Sequence, residues 1–221
     1  MAIKELSDDA AWTLVREERV DVLAMLRGLT PPQWNAPSLC AGWRVRDVAA
    51  HLLIDAAVEE IGRARFVAKM ARNRFAVDPV NAWWVERNAS VPTSSIVDRF
   101  ERSLEPGWLS RLVGPANQLR ASVIHHQDMR RPLRLDRTIP PQRLKRVLDA
   151  ALTKRGSAGV GFVERARGLR LQATDVDWAH GEGLEVAGPA ESLLMSLAGR
   201  PVALADLTGP GLVELTTRLT G

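Results

Sequence analysis

The sequence predicts a mostly α protein, a helical bundle followed by a small α+β domain. Three observations carry that expectation. Apolar residues recur at helical spacing through the first three quarters of the chain. Paired breakers such as Pro31-Pro32, Pro106-Gly107 and Gly114-Pro115 separate those runs. Beyond the glycine-rich stretch RGSAGVGF, the pattern changes to short alternating segments of the kind that form half-buried strands.

The first helix is expected over SDDAAWTLVREERVDVLAMLRGL, with Trp12, Val15, Val22, Met25 and Leu26 near helical spacing, Ser7 as N-cap and Gly28 as the stop. TPPQWNAPSLCAGW reads as a loop. RVRDVAAHLLIDAAVEEIGRARFVAKMARNRF reads as one long helix, apolar nearly all round between Val45 and Val58, as in a helix buried among others. DPVNAWWVERNASVP is read as a connection. TSSIVDRFERSLEPGWLSRLV gives a third helix, broken near Pro106-Gly107. A fourth helix follows Gly114-Pro115 and runs through ANQLRASVIHHQDMRR to Pro132. PPQRLKRVLDAALTK is one more helix, with proline at its start.

RGSAGVGF is the expected linker, so the domains are expected at 1–155 and 156–221. In the second, LRLQATDVDW and HGEGLEVAG read as strands, PAESLLMSLAGR as a helix, and ADLTGPGLVELTTRL as the closing helix.

Composition narrows the function classes. The chain has 221 residues, 46% hydrophobic and 25% charged, enough apolar material for a real core. No apolar stretch approaches the roughly 20 residues of a membrane span, and the charged start MAIKELSDDA does not read as a signal peptide. A single cysteine argues against a disulfide framework and suits a reducing cytoplasm. The net charge is +4 and the pI about 9.9, but 30 basic residues are scattered among 26 acidic ones. Tyrosine is absent and phenylalanine scarce, which leaves little for stacking bases, so nucleic acid is not an expected partner.

Two places carry candidate chemistry. His51 stands in the middle of the most apolar helix, with Asp47 and Asp55 one turn away on its face. Either carboxylate could orient the imidazole, leaving its other nitrogen for a metal. Asp47 could equally serve the first turn of its helix. VIHHQDMRRPL holds two adjacent histidines, which on a helix point about 100° apart. His125 could approach His51 from the fourth helix, with His126 packed or exposed. Metal sites in bundles are built in this way from facing helices. The competing reading is a pair of hydrogen-bonded core histidines.

A zinc site wants a third protein ligand. Asp128, three residues after His125, is the first choice and Asp55 the second, because positions 121, 122 and 129 are Ala, Ser and Met. Cys40, before a helix start, is read as a packed loop cysteine. Trp43 is read as a loop anchor and His180 as a surface residue.

The segment LCAGWRVRDVAAHLL resembles the Cys-x-Gly-Trp-x-Val-x-Asp-Val-x-x-His-Leu signature of the mycothiol-dependent maleylpyruvate isomerase family. VIHHQDMRRPL is similar to its His-x-x-Asp segment, and VDWAHGEGLEVAGPAESLLMSLAGRP to its C-terminal piece. The resemblance implies a DinB-like four-helix fold. It also implies a divalent metal, usually zinc, held by His51 and His125. Its further ligand would stand four positions before His125, where this chain has Ala121.

It implies mycothiol as cosubstrate, whose thiolate would add to a small electrophile in an isomerase or thiol-transferase reaction. Arg200, in the matched Leu-x-Gly-Arg segment, is the candidate for holding a substrate carboxylate. Arg130 and Arg131 are read as surface charges. The expected partners are thus a small-molecule thiol and an electrophile, with no membrane and with a symmetric homodimer allowed. The alternative is a family member that binds a small molecule without metal or catalysis.

Overall fold

A computed structural model describes residues 8–153 and 161–220. The Ser7 cap, the 155/156 boundary and most of the expected linker fall outside the described residues. The chain forms two compact units that divide between Asp136 and Arg137.

The first unit contains α1 (Asp8–Gly28), α2 (Pro31–Asn35), α3 (Val45–His51), α4 (Ile54–Ile61), α5 (Arg63–Arg72), α6 (Val77–Asn88), α7 (Thr93–Arg102), α8 (Trp108–Val113) and α9 (Pro115–Leu133). Four of these make the bundle: α1 packs on α9 and α7, and α3 packs on the same two. Val22, Leu26, Val45, Val48, Ala49, Ile96, Phe100 and Met129 form its core, each almost fully buried. A second cluster, built on Ala57, Val58, Phe66, Val80 and Trp84, packs α4, α5 and α6 together.

The long helix expected from Arg44 to Phe75 is three helices. Gly62 breaks it once, at a φ of 81° that disfavours any residue with a Cβ. The earlier break follows His51 immediately. There Leu53 N–H donates to the Ala50 carbonyl at 3.0 Å, three residues back, so the helix tightens and stops.

Such a break exposes carbonyls that must find donors. Trp84 Nε1 donates to the Ala50 carbonyl at 2.8 Å, and Arg19 Nη1 to that of Leu52 at 3.3 Å. Arg19 also donates to Ser103 Oγ at 2.7 Å and lies over the Phe100 ring. Burial lowers its pKa to about 10, so it keeps its charge at neutral pH. Trp84 explains why the expected connection at 78–92 is instead the helix α6. Its fully buried indole fixes that segment against α3, and tertiary packing overrides weak local propensity.

Asp55 does a structural job. Its Oδ1 accepts from the backbone N–H groups of Leu109 (2.8 Å) and Ser110 (3.2 Å), and its Oδ2 accepts from Ser110 Oγ. It thus caps the exposed amides at the start of α8 from another helix. Gly107 makes room for it: a Cβ there would sit 2.5 Å from Asp55 Cγ.

The second unit contains α10 (Pro141–Ala151), α11 (Phe162–Ala166), β1 (Leu169–Ala173), β2 (Ala179–His180), β3 (Leu184–Gly188), α12 (Ala190–Leu197), a 3₁₀ turn (Pro201–Asp206) and α13 (Leu212–Thr220). Its sheet runs β2-β1-β3, with β1 antiparallel to β2 and parallel to β3, Leu171 opposite Val186. α12 is buried on nearly every side and packs on α10, β1 and β3. That packing explains the early division of the chain: α10 buries Leu144, Val147 and Leu148 as part of the second unit.

Asp55→Ala and Gly107→Ala should each destabilise the protein by about 1–2 kcal/mol, the usual cost of losing a helix cap. Urea denaturation checks this. Midpoints equal to wild type would mean that α8 does not depend on the Asp55 carboxylate.

Candidate metal centre

The site is built where α3 and α9 face each other and a loop folds over them. α9 carries Pro132 in its last turn, and proline has no N–H to offer the carbonyl four residues before it. That carbonyl belongs to Asp128, and Leu39 N–H donates to it instead, at 3.0 Å. The loop between α2 and α3 is thereby pinned to α9. A turn follows at once, with Trp43 N–H donating to the Cys40 carbonyl at 3.0 Å. Gly42 takes the positive φ (76°) of its third position, where glycine is favoured. Ser38 Oγ closes the loop by donating to the Trp43 carbonyl at 2.7 Å and accepting from Cys40 N–H at 3.1 Å.

Pinned in this way, Cys40 reaches α9. Its Sγ lies 3.1 Å from Asp128 Oδ2 and 3.7 Å from His125 Nδ1, and those two atoms are 2.9 Å apart. The three donor atoms all lie within 4.8 Å of one another. Asp128 is fully buried, whereas Cys40 and His125 are partly exposed. The group therefore sits at the edge of the bundle.

His51 ends α3 beside this group. Its ring meets that of His125 edge-on with centroids 4.8 Å apart, and Trp43 flanks it at 5.3 Å. Two imidazoles sharing one zinc at bonds of about 2.0–2.1 Å would have centroids about 5 Å apart. His51 Nδ1 is buried with no hydrogen-bond partner among the described residues, and so is Ser122 Oγ on α9. Unsatisfied buried polar atoms on two facing helices fit a site that takes a ligand. Burial first, and then the neighbouring His125, push the His51 pKa down to about 3, against the opposing pull of Asp128. The ring is neutral at physiological pH, the form that binds a metal.

The structure thus brings together His51, His125 and Asp128. It corrects the two proposed supports of His51. Both oxygens of Asp47 are engaged by Arg44: Oδ2 accepts from its backbone N–H and Nε, each at 2.9 Å, and Oδ1 from Nη2 at 3.0 Å. Asp47 thus serves the first turn of α3. Asp55 is committed to α8, as described above. Neither orients the imidazole.

His126 is fully buried, its Nδ1 2.9 Å from Oε1 of the equally buried Glu18. The adjacent histidines therefore do separate work, one at the site and one tying α9 to α1. Arg130 donates to the Leu135 carbonyl at 3.2 Å and also to that of Asp136, which fixes the end of α9. Arg200 lies in the second unit, where Nη1 donates to the Ala198 carbonyl at 2.6 Å. There its charge helps burial to lower the Arg165 pKa. His180 is exposed and stacks on Trp178.

Sequence reasoning missed Cys40 and Glu18. The signal for Cys40 was Pro132, whose missing N–H leaves an acceptor free on α9. Nothing in the spacing says that Leu39 would fill it. Glu18 sits on the apolar face of α1 among Val15 and Val22, where a charged residue implies a buried partner.

The His51 environment has a pH consequence in chelator-treated protein. An unfolded-chain histidine titrates near 6.5, so the unfolded state binds the extra proton first. The stability from keeping His51 neutral is fully present above pH 6.5 and is lost as pH falls towards about 3. The slope should approach about 1.4 kcal/mol per pH unit. Denaturant midpoints between pH 7 and 4.5 should fall more steeply in wild type than in His51→Gln. A His51 ring that titrates by NMR near 6.5 would refute the assignment.

Comparison with known proteins agrees with this architecture. Residues 15–106 match the family described as mycothiol maleylpyruvate isomerase N-terminal domain. No curated protein sequence matches. Among solved structures, the chain is similar to the mycothiol-dependent maleylpyruvate isomerase, with a TM-score of 0.61, 16% identity and 93% of each chain covered. A histidine-to-alanine mutant of that isomerase is similar at a TM-score of 0.60, again with 16% identity and 93% of each chain covered. These likenesses establish the DinB-like bundle with its small α+β partner. The matched segment, from Val15 to Pro106, is the part of the chain that supplies α3 and His51.

Proposed function

We propose that this protein is a metal-dependent enzyme that uses a small thiol, mycothiol, to attack a small electrophile, as an isomerase or S-transferase. The observation that carries the reading is the meeting of His51 and His125, ring to ring at 4.8 Å, with Asp128 against His125. In this proposal His51, His125 and Asp128 hold a divalent cation, and imidazole ligands favour zinc. The cation, when bound, would supply positive charge that stabilises a thiolate, the form in which a thiol is a nucleophile.

The chain's own residues do the rest. α3 and α9 hold the imidazoles in fixed orientation, and the helix break after His51 keeps that ring at a helix end. The Asp128 carboxylate accepts from His125 Nδ1–H, which fixes the tautomer of that imidazole while no cation is bound. Trp43 shields one side of His51 from water. Arg200 is the proposed carboxylate anchor in the second unit. The single cysteine agrees with a cytoplasmic setting. None of the described helices is long and apolar enough to cross a membrane.

One observation favours a second reading, a small-molecule binding protein without metal. Ala121 stands one turn before His125, where the family resemblance implies a ligand, and the Cys40–Asp128–His125 contacts are satisfied by hydrogen bonds alone.

Metal analysis of protein purified without chelator separates the two. About one zinc or similar ion per chain, lost in His51→Ala, is the expected result. A metal-free, folded wild type would favour the binding-protein reading. Ala121→Asp should raise zinc affinity by about tenfold or more, because it places a second ligand one turn from His125. Unchanged affinity would mean that position 121 does not face the cation.

A further inference from the structure

The Cys40 cluster goes beyond this reading, though it rests on the proposal that a cation binds here. Cys40, His125 and Asp128 form a thiol–imidazole–carboxylate cluster that could be one of two things. A nucleophilic relay needs the imidazole to use different nitrogens towards thiol and carboxylate. Here both neighbours approach the same one, Nδ1, at 3.7 Å and 2.9 Å. The atoms converge on a point instead of forming a chain. Convergence of this kind suits a coordination sphere.

The distances can be tested against one. In a tetrahedral zinc site, bonds of about 2.3 Å to sulfur and about 2.0–2.2 Å to nitrogen and oxygen make ligand-to-ligand edges of about 3.3–3.6 Å. The observed edges are 3.7, 3.1 and 2.9 Å. Each lies within about half an ångström of the ideal, so small side-chain shifts suffice. The His51 ring, edge-on to that of His125 with centroids 4.8 Å apart, has a buried Nδ1 with no hydrogen-bond partner among the described residues, an independent sign of a ligand beside the cluster.

We propose that Cys40 is a metal ligand, its thiolate joining His125 and Asp128 around a borderline-soft divalent cation such as zinc and replacing the ligand that Ala121 cannot supply. Binding releases the thiol proton to solvent, and the imidazole stays neutral by carrying its proton on Nε2 while Nδ1 binds. Thiolate and carboxylate together balance the two positive charges in a half-buried setting. Thiolate and imidazole select against magnesium and calcium, which prefer oxygen. The partial exposure of Cys40 and His125 leaves the cluster reachable from the edge of the bundle.

Cobalt(II) is the probe, added to chelator-treated, phosphine-reduced protein with no added thiol. Wild type should bind one equivalent and develop a near-ultraviolet thiolate-to-cobalt charge-transfer band. Cys40→Ser should lack the band and lose more than the roughly 10–100-fold in zinc affinity that removal of an outer-shell partner costs. If that variant does not fold by circular dichroism, alkylation of wild type decides. The chain has one cysteine, and zinc should protect it from iodoacetamide. Cobalt bound without the band, or zinc bound with Cys40 still reactive, overturns the ligand assignment and leaves metal dependence standing. No cobalt bound at all overturns both.

Discussion

Proline at position 132 withholds an N–H from the carbonyl of Asp128, and the local architecture of the site follows from that gap. A helix interior has no use for a free acceptor, so another donor must come to it. Leu39 does, and its arrival fixes the loop that carries Cys40 over the face of α9. The side chain of the same aspartate is fully buried and needs partners of its own. It finds them in the His125 imidazole and the Cys40 thiol. Backbone and side chain of one residue thus hold together the three groups with the chemistry to bind a metal.

The opposite wall depends on a second interruption. α3 stops directly after His51, and the carbonyls released there are taken by Trp84 from α6 and Arg19 from α1. Both donors are fixed by burial, so the end of α3 is rigid although it is the end of a helix. Rigidity matters for a ligand that must stay neutral and aimed while water is excluded. The buried Glu18–His126 pair acts in the same sense, tying α9 to α1 one residue from the site.

Much of the bundle was legible in the sequence because amphipathic periodicity and Pro-Gly breakers are local. α7, α8, α9 and α12 begin and end close to where those signals place them. Periodicity alone makes α6 look like a connection, because its apolar residues, Val80, Trp84 and Val85, are buried where the helix packs on α3, a contact distant in sequence. Likewise α10 follows its helical pattern, yet the unit it joins is set by packing on α12, far along the chain.

The same division runs through the site. The sequence by itself determined that His51 lies on a buried helix, that His125 and Asp128 share a turn, and that His126 points elsewhere. Each follows from helical geometry, which repeats every 3.6 residues. Only the tertiary structure decided that Asp55 serves the start of another helix, that Glu18 is the partner of His126, and that Cys40 joins the cluster. Those choices are made by hydrogen-bonding groups left unsatisfied in one element and filled from another. The partners are separated by 54 to 108 positions in the three long-range cases, beyond the reach of any local pattern.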